Sequence, residues 1–320
     1  MNLVPVSSEN VSVLISTVLL VLTLWQLGKL RKTSQATTSE PARWWAIAAL
    51  MAFIFSILGR WSVVEADLRT SSALSYFAAV MLLTPLIAIL GARRPGVRAW
   101  PWFVVLPLVL VLQWPSVSQL MSGRSDLAVE VPTPTAIGFL LVLVMGAGNY
   151  FGTLNTLAAV LGGTGIVVML ARSANWFDPA THWPEPLAAT LFLLAAVRVR
   201  RRFRPSAKAA LQPEVHDANR LWIDFRDLFG IVWARRVVDR VNQFAQRESW
   251  DNQLTLDGFV AKSASPNVTA PLAVEVPDRA VEVLCWVLRR FVDPPFVHRY
   301  LPNLRTEQPE QNPAPVQPNA

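Results

Sequence analysis

The chain has 320 residues, 52% of them hydrophobic and 16% charged, with a formal net charge of +7. An average soluble domain carries about 25% charged residues, so this chain is short of the groups that keep a globular surface wet. Its single cysteine, Cys285, excludes an intramolecular disulfide, and no Cys/His cluster has zinc-site spacing.

The charge is not evenly spread. Residues 1–208 hold 17 Lys+Arg against 8 Asp+Glu, a net +9, and residues 209–320 hold 12 against 14, a net −2. A basic character running the whole length would point to nucleic acid. This split removes that reading, and no nucleic-acid partner is expected.

A bilayer core about 30 Å thick takes roughly 20 helical residues to cross. Seven apolar runs are predicted to be transmembrane spans: 11–28, 44–60, 72–91, 101–118, 136–153, 156–173 and 184–197. The polar break GNYFGTLNT, 148–156, divides the fifth span from the sixth. A soluble helix needs a polar face, and these runs lack one. The opening residues have no positive n-region and no A-x-A-like site follows, so the first span is expected to persist.

Lys and Arg in short loops set orientation. One alternating set carries Lys29, Arg31, Lys32, Arg43, Arg93, Arg94, Arg98 and the cluster RVRRRFRPSAK, 198–208; the other carries only Arg60, Arg69, Arg124 and Arg172. The richer set is expected on the cytoplasmic side, so the N-terminus is outside and the C-terminus inside. The arginine cluster then closes the seventh span at the anionic inner leaflet. Tryptophans such as Trp25, Trp44, Trp61 and Trp102 fall near span ends, as headgroup-belt residues do.

The span cores hold no Asp, Glu, Lys or His. That argues against proton relays and ion coupling, and against an intramembrane haem held by histidine. The polar island is the exception. Gly148 and Gly152 have GxxxG spacing, which lets helices approach closely, and Asn149, Tyr150 and Asn155 can bond across helices or line a cavity. Gly148, Asn149, Tyr150, Gly152 and Asn155 are therefore a candidate helix-packing or solute site. The plain reading is a tight turn between packed helices; the sharper one is a discontinuous helix at a substrate site. In the loop WFDPATHWPEP, Asp178, His182 and Glu185 are of metal-ligating type, but they are read as a solvated loop. No metal, cofactor or catalytic residue is assigned.

Residues 205–216 are predicted to be a linker and 217–301 a small, mainly helical cytosolic domain. A helix is expected from Asp217 to Arg247. Leu221, Phe225, Leu228 and Val232 form one stripe and Trp222, Phe229 and Trp233 another. One helix cannot hide so broad a face, which must pack within its domain, on the bilayer or on a protein partner. Trp222, Phe225, Phe229 and Trp233 are thus the candidate partner face. A second helix fits 278–292, while LTLDGFV and PLAVEV between them are strands or irregular. Residues 302–320, rich in Pro, Gln and Asn, are expected to be disordered. No Walker A, dinucleotide, zincin or nucleophile-elbow motif occurs.

The segment LWIDFRDLFGIVWARRVVDRVNQ, 221–243, together with the multi-span layout before it, resembles uncharacterised bacterial multi-pass membrane proteins, planctomycete ones in particular. The resemblance implies a bacterial inner membrane as the home and brings no activity. The sequence thus describes an all-α membrane protein of about seven transmembrane helices plus a small C-terminal cytosolic domain. The leading expectation is a non-enzymatic anchor or scaffold; the alternative is a transporter or channel for an uncharged or lipid-like solute.

Overall fold

The computed structural model describes residues 8–62, 68–92, 100–122, 129–174, 176–178, 181–203, 215–262 and 276–302. The chain is mostly helical. The first part holds α1 (Ser8–Lys29), the short α2 (Arg31–Ser34), α3 (Glu40–Ser62), α4 (Leu68–Met81), α5 (Thr84–Leu90), α6 (Trp100–Met121), α7 (Thr133–Gly148), α8 (Thr156–Ser173) and α9 (Pro184–Arg202). The C-terminal part holds α10 (Val215–Phe229), α11 (Ile231–Arg247), a hairpin of β1 (Asn252–Thr255) and β2 (Gly258–Ala261), then α12 (Asp278–Leu288) and α13 (Pro294–Val297).

Among the described residues, five helical stretches are long and apolar enough to cross a membrane: Ser8–Lys29, Glu40–Gly59, Thr70–Leu90, Trp102–Met121 and Thr156–Ser173. Helix α7 is apolar but has only 16 residues, and α9 carries Arg200, Arg201 and Arg202 in its last turn. Thr70–Leu90 is the most enclosed, 67% of its apolar window being buried, against 17% for α1 and 22% for α6. Phe103, Leu110 and Val111 of α6, Val144 of α7 and Leu14 of α1 point outward and exposed. A soluble monomer rarely shows so wide an apolar surface.

Pro85 explains the break between α4 and α5. It has no N–H to give to Met81, four residues back, and its ring crowds that carbonyl. The Thr84 hydroxyl donates to the Met81 carbonyl instead, at 2.7 Å. Across the bundle, fully buried Tyr76 of α4 donates its hydroxyl to the Leu112 carbonyl of α6, at 2.6 Å. Helix α9 packs against both α1 and α8.

In the C-terminal part, β1 and β2 pair antiparallel, from Asn252 against Ala261 to Thr255 against Gly258. This settles LTLDGFV as a hairpin. The single helix expected over 217–247 is instead two, parted at Gly230, whose φ of +82° no right-handed helix contains. The aromatic stripes form an apolar core. Phe225 stacks on Phe229 at 4.7 Å between ring centres, and Phe291 meets Phe225, Phe229 and Trp233 at 5.4, 5.6 and 5.2 Å. The predicted linker, except its last residues, and the predicted disordered tail beyond Pro302 lie outside the described residues.

Among the described residues, four places in the first part touch the C-terminal part, and they lie at one end of the bundle. They are the connection from α1 to α3, the end of α5, the turn from α7 to α8, and the end of α9. At the other end, Ser12 donates to the His182 carbonyl at 2.6 Å, the Val129 N–H donates to the Ser72 hydroxyl at 2.9 Å, and Arg172 pairs with Glu185 at 3.0 Å.

Candidate functional site

Helix α7 stops at Gly148, and residues 149–155 turn the chain into α8. The turn is pinned from within. The Thr153 hydroxyl donates to the Tyr150 carbonyl at 2.7 Å and accepts from the Asn155 N–H at 3.1 Å; the Thr156 hydroxyl donates to the Thr153 carbonyl at 2.7 Å. Gly152 supplies a φ of +80°, which only glycine adopts without strain.

This turn meets the break between α10 and α11 and caps both helix ends. A helix leaves its last carbonyls and first N–H groups unsatisfied. At the end of α10, the Asp227 carbonyl accepts from Asn155 Nδ2 at 2.8 Å, Leu228 from the Tyr150 hydroxyl at 3.2 Å, and Phe229 from Asn149 Nδ2 at 2.9 Å. At the start of α11, the Ile231 N–H donates to the Asn149 carbonyl at 2.7 Å and the Val232 N–H to Asn149 Oδ1 at 2.9 Å. A Cβ at position 230 would stand inside the Asn149 side chain, so glycine is required there by space as well as by φ.

Beside these caps lies a buried ionic cluster. Asp227 is fully buried. Its carboxylate accepts from Arg202 Nε at 2.8 Å, from Arg226 at 3.0 and 3.1 Å, and from the Leu154 N–H at 3.3 Å. Arg202 also donates to Asp224 at 2.9 Å, and Asp224 accepts from the Tyr300 hydroxyl at 2.8 Å. One arginine at the end of α9 thus grips two carboxylates of α10. Burial, and then the Asp224 carboxylate, push the Tyr300 hydroxyl well above its usual value.

Two further contacts complete the attachment. Trp233 Nε1 donates to the Ile89 carbonyl at the end of α5, at 3.1 Å. In the connection from α1 to α3, Ala36 takes a φ of 63°. Here the Asp293 N–H donates to the Ala36 carbonyl at 2.9 Å, the Thr38 N–H to the Phe291 carbonyl at 2.8 Å, and Arg299 to the Lys32 carbonyl at 2.6 Å.

The two candidate sites of the sequence are therefore two halves of one joint. Asn149, Tyr150 and Asn155 bond to it directly, and a Cβ on Gly152 would touch Ile231 at 3.2 Å. Gly148 does not serve close packing, since a Cβ there meets nothing within 4 Å. The expected partner face needs correction. Trp222, Phe225 and Phe229 are fully buried and Trp233 is 5% exposed: Phe225, Phe229 and Trp233 pack on Phe291, Trp233 also bonds to the bundle, and Trp222 stacks on Phe225 and donates to the Thr255 carbonyl. Sequence reading missed Asp227, Arg202 and Arg226. The available signal was an Asp on the turn just before a glycine that interrupts a helical pattern.

A cavity of about 330 Å³ lies beneath the joint, with Tyr150, Asn155, Asp227 and Leu228 at its margin and small residues of α3, α8 and α9 along its walls. Among the described residues no three His, Cys, Asp or Glu side chains gather as a metal would need. Glu185 is engaged by Arg172. Cys285 is buried, and burial pushes its thiol up to about 12. The chain matches no protein-family profile, no curated protein and no solved structure.

Proposed function

We propose that the chain is an integral protein of a bacterial inner membrane with seven transmembrane helices, its N-terminus outside and residues 217–301 a cytosolic domain. Its role in this reading is that of a non-enzymatic scaffold, holding the domain in a fixed pose on the inner face for a protein partner. The observation that carries this reading is the capping of α10 and α11 by the 149–155 turn, which ties the domain to the bundle through backbone groups of its own core. The side of the bundle that bears the joint is also the side of Lys29, Arg31, Lys32, Arg43 and the α9 arginines, in keeping with a cytoplasmic face.

A partner of the aromatic helices meets their outer side, since the inner side is filled. Val232, Arg235, Arg236 and Arg240 of α11 and Trp286 of α12 are exposed. A photo-cross-linking residue at Trp286 or Arg240 in the full chain, in cells, tests the role. A discrete protein adduct that depends on Asn149 is expected; only lipid or solvent adducts at both positions remove the scaffold.

A second reading, binding or passage of a lipid-like solute, is favoured by the cavity of about 330 Å³, which falls in the usual size range of ligand pockets.

A further inference from the structure

The cavity beneath the joint runs from Ser39, just before α3, along that helix to Leu50, roughly 16 Å at 1.5 Å per residue. Its walls are kept open by small side chains: Ala46 and Ala49 of α3, Gly162 and Gly163 of α8, and Ala195 and Ala196 of α9. Such walls are apolar, and an apolar cavity favours an apolar guest over water.

One end differs. Arg43, in the first turns of α3, is 9% exposed and borders the cavity. Its Nε and Nη2 atoms are buried and have no hydrogen-bond partner among the described residues. The Glu40 carboxylate stands 4.0 Å from Nη2, beyond hydrogen-bond reach, and is itself 39% exposed. The guanidinium also lies over the Trp44 ring, at 4.5 Å. Asn155, which also borders the cavity, has a buried Oδ1 without a hydrogen-bond partner among the described residues. Asp227 borders it too, but its charge is already met by Arg202 and Arg226.

A guanidinium keeps its charge at any working pH, and buried N–H groups of a charged side chain left without an acceptor are costly. Arg43 stands at the inner end of α3, the depth at which an acidic lipid headgroup would sit in the orientation proposed above. We propose that the cavity is a binding site for a single-chain anionic amphiphile drawn from the membrane, its carboxylate or phosphate on Arg43 and its acyl chain running along α3 toward Leu50 and Ile166. This inference deepens the second reading, stands apart from the scaffold role, and replaces an uncharged solute by one with an acidic head.

The test uses the purified full chain in non-ionic detergent and radiolabelled palmitate. Competition is measured with lysophosphatidate, with neutral monopalmitoylglycerol, and with inorganic phosphate. Palmitate and lysophosphatidate are expected to bind at least tenfold more tightly than monopalmitoylglycerol, and phosphate alone is expected not to compete. Arg43→Gln should abolish the preference for the acidic head while leaving the neutral chain unchanged. Gly162→Leu, at a position where a Cβ meets nothing within 4 Å, should fill the cavity and weaken both kinds of chain at least tenfold. Equal binding of neutral and anionic chains by the wild-type protein overturns the proposal whether or not either variant folds. So does an acidic preference that survives Arg43→Gln, or displacement of palmitate by phosphate alone. None of these results bears on the joint or on the scaffold.

Discussion

Asn149 occupies the space that a side chain at position 230 would need. Its amide nitrogen and oxygen bond on either side of Gly230, to the Phe229 carbonyl and the Val232 N–H. One residue in the turn between α7 and α8 therefore closes one helix of the C-terminal part and opens the next.

Gly230→Ala should undock that part. The φ of +82° costs a non-glycine residue on the order of 1–3 kcal/mol, and the collision with Asn149 adds to it. Thermal unfolding of the detergent-purified chain should show a clear drop in Tm. Gly148→Ala is the matched control: it meets open space and should change stability by less than about 0.5 kcal/mol. An equal drop in both variants would contradict the joint.

Asn149→Ala leaves the buried Phe229 carbonyl without its partner, at about 1–3 kcal/mol, and the part-buried Val232 N–H without its acceptor at a smaller cost. Asn149→Asp keeps an acceptor for the Val232 N–H but sets a buried carboxylate oxygen against the Phe229 carbonyl, so it should destabilise at least as much as Asn149→Ala. Hydrogen exchange at the first turn of α11 reads this directly; unchanged protection in Asn149→Ala would count against the capping.

Asp227→Asn should be severe. It leaves Arg202 and Arg226 facing a neutral amide in a buried place, and breaking a buried ion pair costs about 3–5 kcal/mol. Arg202→Gln is expected to be milder, because Arg202 is 22% exposed and Arg226 remains on Asp227. Ranking the two by Tm in one detergent checks the order.

Alkaline pH should loosen the C-terminal part. Burial raises Cys285 from 9.0 to about 12, and burial with the Asp224 charge raises Tyr300 above its ordinary 10.0. Both groups hold their protons longer folded than unfolded. The stability they confer is full below pH 9 and falls as pH rises, first through Cys285 between about 9 and 12, then through Tyr300. Cys285→Val should flatten the decline that begins near pH 9, while Tyr300→Phe leaves it. The thiol should also stay unreactive toward maleimides at neutral pH until the chain unfolds, as a buried neutral thiol does.

Apolar runs and the arginine clusters that end them are local signals, and the helices fall near the runs read from sequence: α8 begins at Thr156 and ends at Ser173, and α6 overlaps 101–118. The pieces of the site were legible too. A polar island in an apolar stretch and an aromatic helix too broad to stand alone both marked places that needed partners. That they needed each other was not legible, because Asn149 and Phe229 are 80 residues apart and nothing local encodes the match. Gly230 lay in plain view, but the stripes run through it in phase, and periodicity outweighed the break. Arg43 reads in sequence as one more positive residue beside a span; only the fold shows that it borders a cavity and that its Nε and Nη2 are buried without a hydrogen-bond partner among the described residues.

A protease site placed within residues 205–214 offers the most direct measurement on the joint between turn and helix break. After cleavage of the purified full chain, the C-terminal fragment should remain bound to the membrane fragment through size-exclusion chromatography in wild type, and should separate in Asn149→Ala and Gly230→Ala. Separation in wild type, or retention in both variants, would contradict the account.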